Sequence, residues 1–302
     1  MIGTLFGAIA ALAIRGPQPD QNVILAVSTS SVAVVAARPA PPIKIKPNSL
    51  GVKTSSPSAF VADVGSGSVL FAKNAHDVMP IASLTKLMTA MVFLDMHPDL
   101  TKKIVFTDAD QDNEEAVVIP SGQTLTQEDV LRAMLVGSVN AAAAAIARTS
   151  VGTPQFVALM NQKAHDLGLS SPEFFEPTGL NPDNKADAAD VAAMLSIATS
   201  YPEIRAIAKL PEVIVHGLTP SHDYKIDSTN LLLPTYLNKP PYKIVAAKTG
   251  SLPEAGYCMA QITSDAQGHE IVAVELGSDN HFSRYQDVKA LTTWAFDTYS
   301  WK

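Results

Sequence analysis

The chain has 302 residues, of which 47% are hydrophobic and 17% charged, enough to bury a large core in one or two domains. A net charge of -7, with no cluster of Lys or Arg, argues against a nucleic-acid partner. The single cysteine, Cys258, excludes an intramolecular disulfide and a cysteine-based zinc site, and its apolar neighbours in AGYCMAQI read as those of a buried small hydrophobe.

Two apolar runs open the chain, residues 2–14 and 22–37, separated by a polar stretch that begins at Arg15. Each is shorter than the roughly 20 residues a helix needs to cross a bilayer. The second has the build of a signal h-region, with Arg15 before it and the small residues VAA just ahead of Arg38. The first lacks a basic n-region, which leaves a membrane anchor or an upstream extension open, and a pair of ordinary core strands is the alternative to both. Residues 1–37 are accordingly read as signal peptide or membrane anchor, which implies an exported protein of the cell envelope with a possible N-terminal tether. Residues 38–57, which contain RPAPPIKIKP, read as a Pro-rich extended linker, and 58–302 as the folded domain.

From residue 58 the signals become regular. AFVADV, the glycine-rich GSGS and VLFAK make a strand, turn and strand. PIASLTKLMTA, running on into MVFLDM, predicts a helix of about four turns from residue 80, apolar around most of its circumference. TQEDVLRAML opens a second helix on a capping box with Asp129 in place of the usual Glu. The alanine-rich 141–147, the segment 153–167 with Pro154 at its first turn, and 186–200 are further helices. Three β runs follow, YKIVAAKTG, AGYCMAQITS and HEIVAVELG, and a last amphipathic helix carries Val288, Leu291, Ala295 and Tyr299. Because consecutive strands tend to pair, hairpin and C-terminal strands together predict an α+β fold. Its core is one five-stranded, largely antiparallel sheet flanked by helices, with a helical insertion.

Lys86 is the anomaly in this pattern, an ammonium in a helix whose surroundings disfavour charge. It stands three residues after Ser83 in SLTK, and SVN (residues 138–140) and KTG (residues 248–250) follow in order. An S-x-x-K or an S-x-N occurs by composition roughly once in a chain of this length, so neither is informative alone. The weight lies in context: helix start, inter-helix loop and strand end. A serine hydroxyl becomes a nucleophile when a base takes its proton, and on a helix a residue three positions away shares its face. A lysine among apolar side chains can be that base in its neutral form. The helix N-terminus also places a backbone N–H at Ser83 for a developing oxyanion. Ser138 is a candidate proton relay between Lys86 and a leaving amine, and Asn140 a candidate donor or acceptor for a substrate amide. Either could equally be the N-cap of the alanine-rich helix. Lys248 places a positive charge suited to a carboxylate, Thr249 adds a hydroxyl, Gly250 allows close backbone approach, and the Ser251 N–H is a candidate second oxyanion donor.

The ordered trio is the signature of penicillin-binding proteins and class A β-lactamases. Beyond it, PIASLTKLMTAMV, MNQKAHDLGLSSPEFFEPTGLNPDN, STNLLL, AAKTGSLPEAGYCMA and VKALTTWAF make residues 58–302 resemble the low-molecular-mass penicillin-binding proteins, the serine D-Ala-D-Ala peptidases of family S11. The resemblance implies a β-lactamase/transpeptidase-like fold. It implies an acyl-enzyme on Ser83 with Lys86 as general base, stem peptides of peptidoglycan as substrate, β-lactams as covalent inhibitors, and no cofactor. It assigns Ser138 and Asn140 to proton relay and amide binding, and Lys248 and Thr249 to the substrate carboxylate. Carboxypeptidase action is the leading expectation and cross-link endopeptidase action the alternative, since the chain stops directly after the closing helix without the extra β-domain of many carboxypeptidases. Two departures stand out. The usual S-G-N-D reads Ser138-Val139-Asn140-Ala141, which sets a valine beside the cleft and removes an acid.

The nearest rival is a class A β-lactamase, because EPTGLN resembles the E-x-x-L-N segment that carries those enzymes' deacylating glutamate. Here one residue too many separates Glu176 from Leu180, so Glu176 is expected to be a loop residue. A wall-binding pseudoenzyme is a second rival, opposed by the intact Ser83, Lys86 and Lys248. The seven histidines, scattered without H-E-x-x-H or paired spacing, predict no metal site.

Overall fold

The computed structural model describes residues 39–111 and 117–302. The chain divides into a unit Met1–Ala37 and a unit Arg38–Lys302. Both apolar runs read above as signal or anchor lie outside the described residues.

The hairpin is formed by β1 (Ser58–Asp63) and β2 (Val69–Lys73), and the C-terminal strands are β3 (Lys243–Leu252), β4 (Gly256–Ser264) and β5 (Glu270–Ser278). They make one antiparallel sheet in the order β3-β4-β5-β1-β2. The order follows from burial. All six residues of β1 are buried, and their two-residue period sends Phe60 and Ala62 into one hydrophobic core and Ala59 and Val61 into the other. β5 divides the same way, Val272 and Val274 to the first core and Ile271 and Ala273 to the second. Strands apolar on both faces belong in the middle of a sheet covered on both sides.

Among the described residues seven helices provide the cover: α1 (Lys86–Asp95), α2 (Gln127–Val136), α3 (Asn140–Ser150), α4 (Thr153–Asp166), α5 (Ala188–Ala198), α6 (Pro202–Ile207) and α7 (Ser283–Thr298). Val288, Leu291 and Ala295 of α7 seal one face. On the other side α2, α3, α4 and α5 wrap α1, of which nine residues are buried, Lys86 among them. That encirclement is the tertiary meaning of a helix apolar all round.

Four local expectations change. The helix expected from residue 80 begins later, because Met79–Pro80 pairs with Lys185–Ala186 and Ala82 takes φ +47°. A 3₁₀ turn, Ala82–Thr85, then leads into α1 at Lys86. KTG lies within β3 rather than at its end, since pairing with β4 continues to Leu252. A hairpin of Glu212–Leu218 with Ser221–Asp227 lies between α6 and β3, in a stretch to which the sequence reading assigns no element, although Glu212–Leu218 alternates with a period of two. Finally, much of the segment read as linker is pinned to the domain. Ile43–Lys44 pairs with Tyr299–Ser300, Trp294 Nε1 donates to Ser49 Oγ at 2.7 Å, and Ser55 Oγ donates to Asp287 at 2.7 Å. Proline-rich composition keeps regular structure there to the two-residue strand Ile43–Lys44, but individual backbone and hydroxyl groups still find partners.

Candidate active site

The turn before α1 sets the geometry. In a 3₁₀ helix residues three apart eclipse, which aligns Ser83 with Lys86 more directly than an α-helix would. Lys86 Nζ lies 2.8 Å from Ser83 Oγ, and it donates to Asn140 Oδ1 at 2.7 Å and to the Thr178 carbonyl at 2.6 Å. Both carbonyl oxygens can only accept. A neutral amine has two N–H groups and one lone pair, so satisfying both carbonyls turns the lone pair onto the Ser83 hydroxyl. This arrangement suits proton abstraction from that hydroxyl at the start of an attack.

Two glycines press closely on the Ser83 turn. A Cβ on Gly250 of β3 would lie 2.9 Å from Ile81 O and 3.0 Å from Ser83 N. A Cβ on Gly179, at φ +85°, would lie 2.0 Å from Ala82 O. Only hydrogen fits at either position, which is why K-T-G and P-T-G carry glycine there.

Neither polar residue of SVN caps a helix. Val139 is the N-cap of α3 and supplies no side-chain bond. Ser138 adopts φ +60°, a left-handed conformation that costs about 1–3 kcal/mol in a non-glycine residue. In this pose Ser138 Oγ accepts from Lys248 Nζ at 2.6 Å, while Asn140 turns to Lys86. The sequence pairing of Ser138 with Lys86 therefore becomes a pairing with Lys248 in the resting structure. Lys248 is buried and also donates to Thr249 O at 3.0 Å. Burial first, then the charges of Lys86 and Arg284, hold its ammonium well below the usual lysine range.

Arg284, Thr229 and Thr178 escaped the sequence reading. Arg284, from the first turn of α7, is buried under Tyr257 and Tyr285 and donates to the Gly250 carbonyl at 2.9 Å. Its Nε has no hydrogen-bond partner among the described residues. Nothing local marks this arginine; only the sheet brings α7 beside KTG. Thr229 Oγ1 accepts from Thr249 Oγ1 at 2.6 Å, and its place in STNLLL was the available signal. A cavity of about 300 Å³ joins Ser83, Ser138, Thr229, Thr249 and Arg284. A second of about 670 Å³ runs from Ser83 along Asn140, Leu180, Ser251 and Tyr257. β3 is an edge strand, and although its Ala247 N–H donates to Ala208 O at 3.0 Å, its position at the sheet edge suits strand-like pairing with an extended peptide in that groove. The eight residues expected from sequence thus converge: Ser83, Lys86, Ser138, Asn140, Lys248, Thr249, Gly250 and Ser251.

Two other expectations can be placed. The Glu176 carboxylate accepts four N–H groups of its own loop region rather than pointing at Ser83, which does not fit a deacylating base. Cys258 is buried in β4, and burial pushes its thiol up to about 11, which suits packing and not nucleophilic attack. No group of three metal-ligating side chains occurs among the described residues.

Comparison with known proteins agrees with this geometry. The profile of the family described as D-alanyl-D-alanine carboxypeptidase, Peptidase_S11, matches residues 44–280. A D-alanyl-D-alanine endopeptidase of Pseudomonas aeruginosa is 32% identical, the match covering 90% of this chain and 86% of that protein. The D-alanyl-D-alanine carboxypeptidase DacF of Bacillus subtilis is 28% identical over 80% of this chain and 62% of its own length. Among solved structures, the Streptomyces K15 DD-transpeptidase aligns with a TM-score of 0.76 at 24% identity over 82% of this chain and all of that one. A D-alanyl-D-alanine carboxypeptidase of Mycobacterium tuberculosis aligns at 0.75 with 26% identity, over 85% and 98% of the two chains.

Proposed function

This chain belongs to the D-alanyl-D-alanine carboxypeptidase family, S11, and from that membership we propose that it is a penicillin-binding serine D-Ala-D-Ala carboxypeptidase acting on peptidoglycan stem peptides in the cell envelope. The observation that carries this reading is the three-way contact of Lys86 with Ser83, Asn140 and Thr178.

Ser83 Oγ attacks the carbonyl carbon of the penultimate D-Ala as Lys86 Nζ takes its proton. The N–H groups of Ser83 and Ser251 receive the oxyanion. Ser138, held by Lys248, gives its hydroxyl proton to the departing amine and is reprotonated by the proton that Lys86 took from Ser83, and D-Ala leaves. Water then attacks the ester carbonyl and frees Ser83. The substrate's terminal carboxylate meets Lys248, Thr249 and Arg284, and Asn140 pairs with a peptide amide of the stem. β-Lactams acylate Ser83 as strained mimics of the same peptide. The apolar runs before residue 38 serve export and membrane tethering, and the Pro-rich segment joins them to the peptidase domain of residues 58–302, on which it packs.

Cross-link endopeptidase action is the second reading. It is favoured by the relatives of Pseudomonas aeruginosa, Escherichia coli and Haemophilus influenzae that bear the endopeptidase name. Digestion of purified muropeptides, followed by mass spectrometry, separates the two: loss of one alanine marks the carboxypeptidase, conversion of dimers to monomers the endopeptidase. Labelling with a fluorescent penicillin tests the common chemistry. The expected result is label on the wild type and none on Ser83→Ala, with Lys86→Arg at least about 1,000-fold slower because its guanidinium stays charged. A wild type that takes no label would sink the reading.

A further inference from the structure

The family motif P-T-G-L is preceded here by a carboxylate whose bonds lead to the base. Glu176 Oε2 accepts from the Thr178 N–H at 2.6 Å, while Oε1 accepts from Gly179 N–H at 2.6 Å, Asn181 N–H at 3.3 Å and Asn184 Nδ2 at 3.0 Å. The same short loop faces α1 with two consecutive carbonyls. Pro177 O accepts from Thr89 Oγ1 at 2.6 Å and Thr178 O from Lys86 Nζ at 2.6 Å. Asn184, fully buried, ties the loop to the nucleophile turn: its carbonyl accepts from Ile81 N at 3.1 Å and its Nδ2 donates to Thr85 Oγ1 at 3.2 Å.

We propose that Glu176 is a positioning residue: by gripping the N–H groups of Thr178 and Gly179, its carboxylate aims the Thr178 carbonyl at Lys86 Nζ and seats Gly179 against the Ser83 turn. The inference rests on the reading of Lys86 as the general base. Its logic is a donor count. Four N–H groups converge on two oxygens, and only an ionised carboxylate is acceptor on both. In Glu176→Gln the single amide oxygen is drawn to the three donors around Oε1. The NH₂ group then faces the Thr178 N–H, donor against donor, and the peptide plane that presents Thr178 O to Lys86 is released. Asn140 Oδ1 remains as an acceptor for Lys86, so the base is loosened and not orphaned.

The direction of a second readout follows. Lys248 of β3 and Lys86 bear on each other, Arg284 of α7 bears on Lys248 in turn, and the Glu176 carboxylate sits in the loop whose Thr178 carbonyl faces Lys86. The two cations are unchanged in the variant. Losing a carbonyl acceptor and a negative charge both weaken support for the ammonium form, so the base titrates lower. Acylation rises with pH as Lys86 deprotonates, and its acid limb therefore moves to lower pH while the maximal rate falls.

The experiment is stopped-flow or quenched labelling of the full chain with a fluorescent penicillin from pH 5 to 10, wild type against Glu176→Gln. We expect acylation at neutral pH slowed about tenfold or more, with the acid limb displaced downward by at least half a pH unit. An unchanged rate, or a slower rate with the limb unmoved, overturns the proposal, since a purely structural loss lowers the amount of active protein without moving the limb. If Glu176→Gln does not fold, Glu176→Asp, which withdraws the carboxylate by one methylene, is judged by the same pair of readouts: a slower rate with a downward limb supports the proposal and wild-type behaviour overturns it. A wild type that takes no label fails the functional reading instead, which keeps the two failures apart.

Discussion

Replacing Glu275 by Gln should stabilise the protein increasingly as pH rises. Glu275 is fully buried in β5; its Oε1 accepts from Ser56 Oγ and its Oε2 from Ser278 Oγ, each at 3.1 Å. Burial, then the neighbouring charge of Asp287, push its carboxyl up to about 9 from an ordinary 4.5. The folded chain thus keeps the proton to about pH 9, while the unfolded chain releases it above 4.5. A raised pKa contributes stability that is complete below the unfolded value and is lost as pH climbs toward the folded one. The loss runs at about 1.4 kcal/mol per pH unit. At pH 7.5 it amounts to about 4 kcal/mol relative to acid, a figure set by the unfolded value as long as the folded one lies higher. Gln has nearly the same shape, can donate to Asp287 and accept from a serine, and does not titrate. Urea unfolding of both proteins at unit steps from pH 5 to 9 reads the difference directly, because every other titrating group cancels. The variant's advantage should grow by about 1.4 kcal/mol per unit between pH 6 and 8 and level off toward pH 9. Parallel stability curves would refute the buried, protonated Glu275.

Gly179→Ala places a methyl 2.0 Å from the Ala82 carbonyl, a backbone atom that cannot swing aside, so the Ser83 turn must shift. A misplacement on the scale of 1 Å should slow penicillin acylation about 100-fold in protein that remains folded by circular dichroism; a rate within twofold of wild type would contradict that close contact. Lys248 predicts proton uptake on binding. Its ammonium is disfavoured by burial and by Lys86 and Arg284, and a bound carboxylate restores it, so affinity for a peptide with a free C-terminus should fall as pH rises through the lowered Lys248 range. Calorimetry of the Ser83→Ala variant with a D-Ala-D-Ala peptide, in buffers of different ionisation enthalpy, should show net proton uptake; a buffer-independent enthalpy would count against it.

Much of the fold is legible because its signals are local. The glycine-rich turn between two apolar runs at 58–73, the Thr126 cap whose side chain accepts from Asp129 N, and Pro154 in the first turn of α4 each act within a few residues. The reading failed where distant contacts overrule a local preference. Nothing near Pro80 announces that a strand bridge to Lys185 and a left-handed Ala82 will delay the helix. Capping chemistry rightly favours Ser and Asn before an alanine-rich helix, yet both side chains are taken by lysines from other elements.

The candidate site divides along the same line. The order of residues alone determines which groups are available: a serine three positions from a lysine in an apolar helix, S-x-N between helices, K-T-G in an apolar strand. Spacing along one helix also suffices to join Ser83 to Lys86, because 3₁₀ and α geometry both stack residues three apart. Tertiary structure decides the rest. It gives Asn140 and Thr178 to Lys86, gives Ser138 to Lys248, and brings Arg284 from the last helix under the Gly250 carbonyl. Those partners lie up to 110 residues apart, as Ser138 and Lys248 do, and the sheet that closes β1 onto β5 is what draws them together. A pattern of side chains can specify a helix or a strand by itself, whereas the choice among several acceptors for one buried amine is made only when packing excludes water and leaves each donor one place to go.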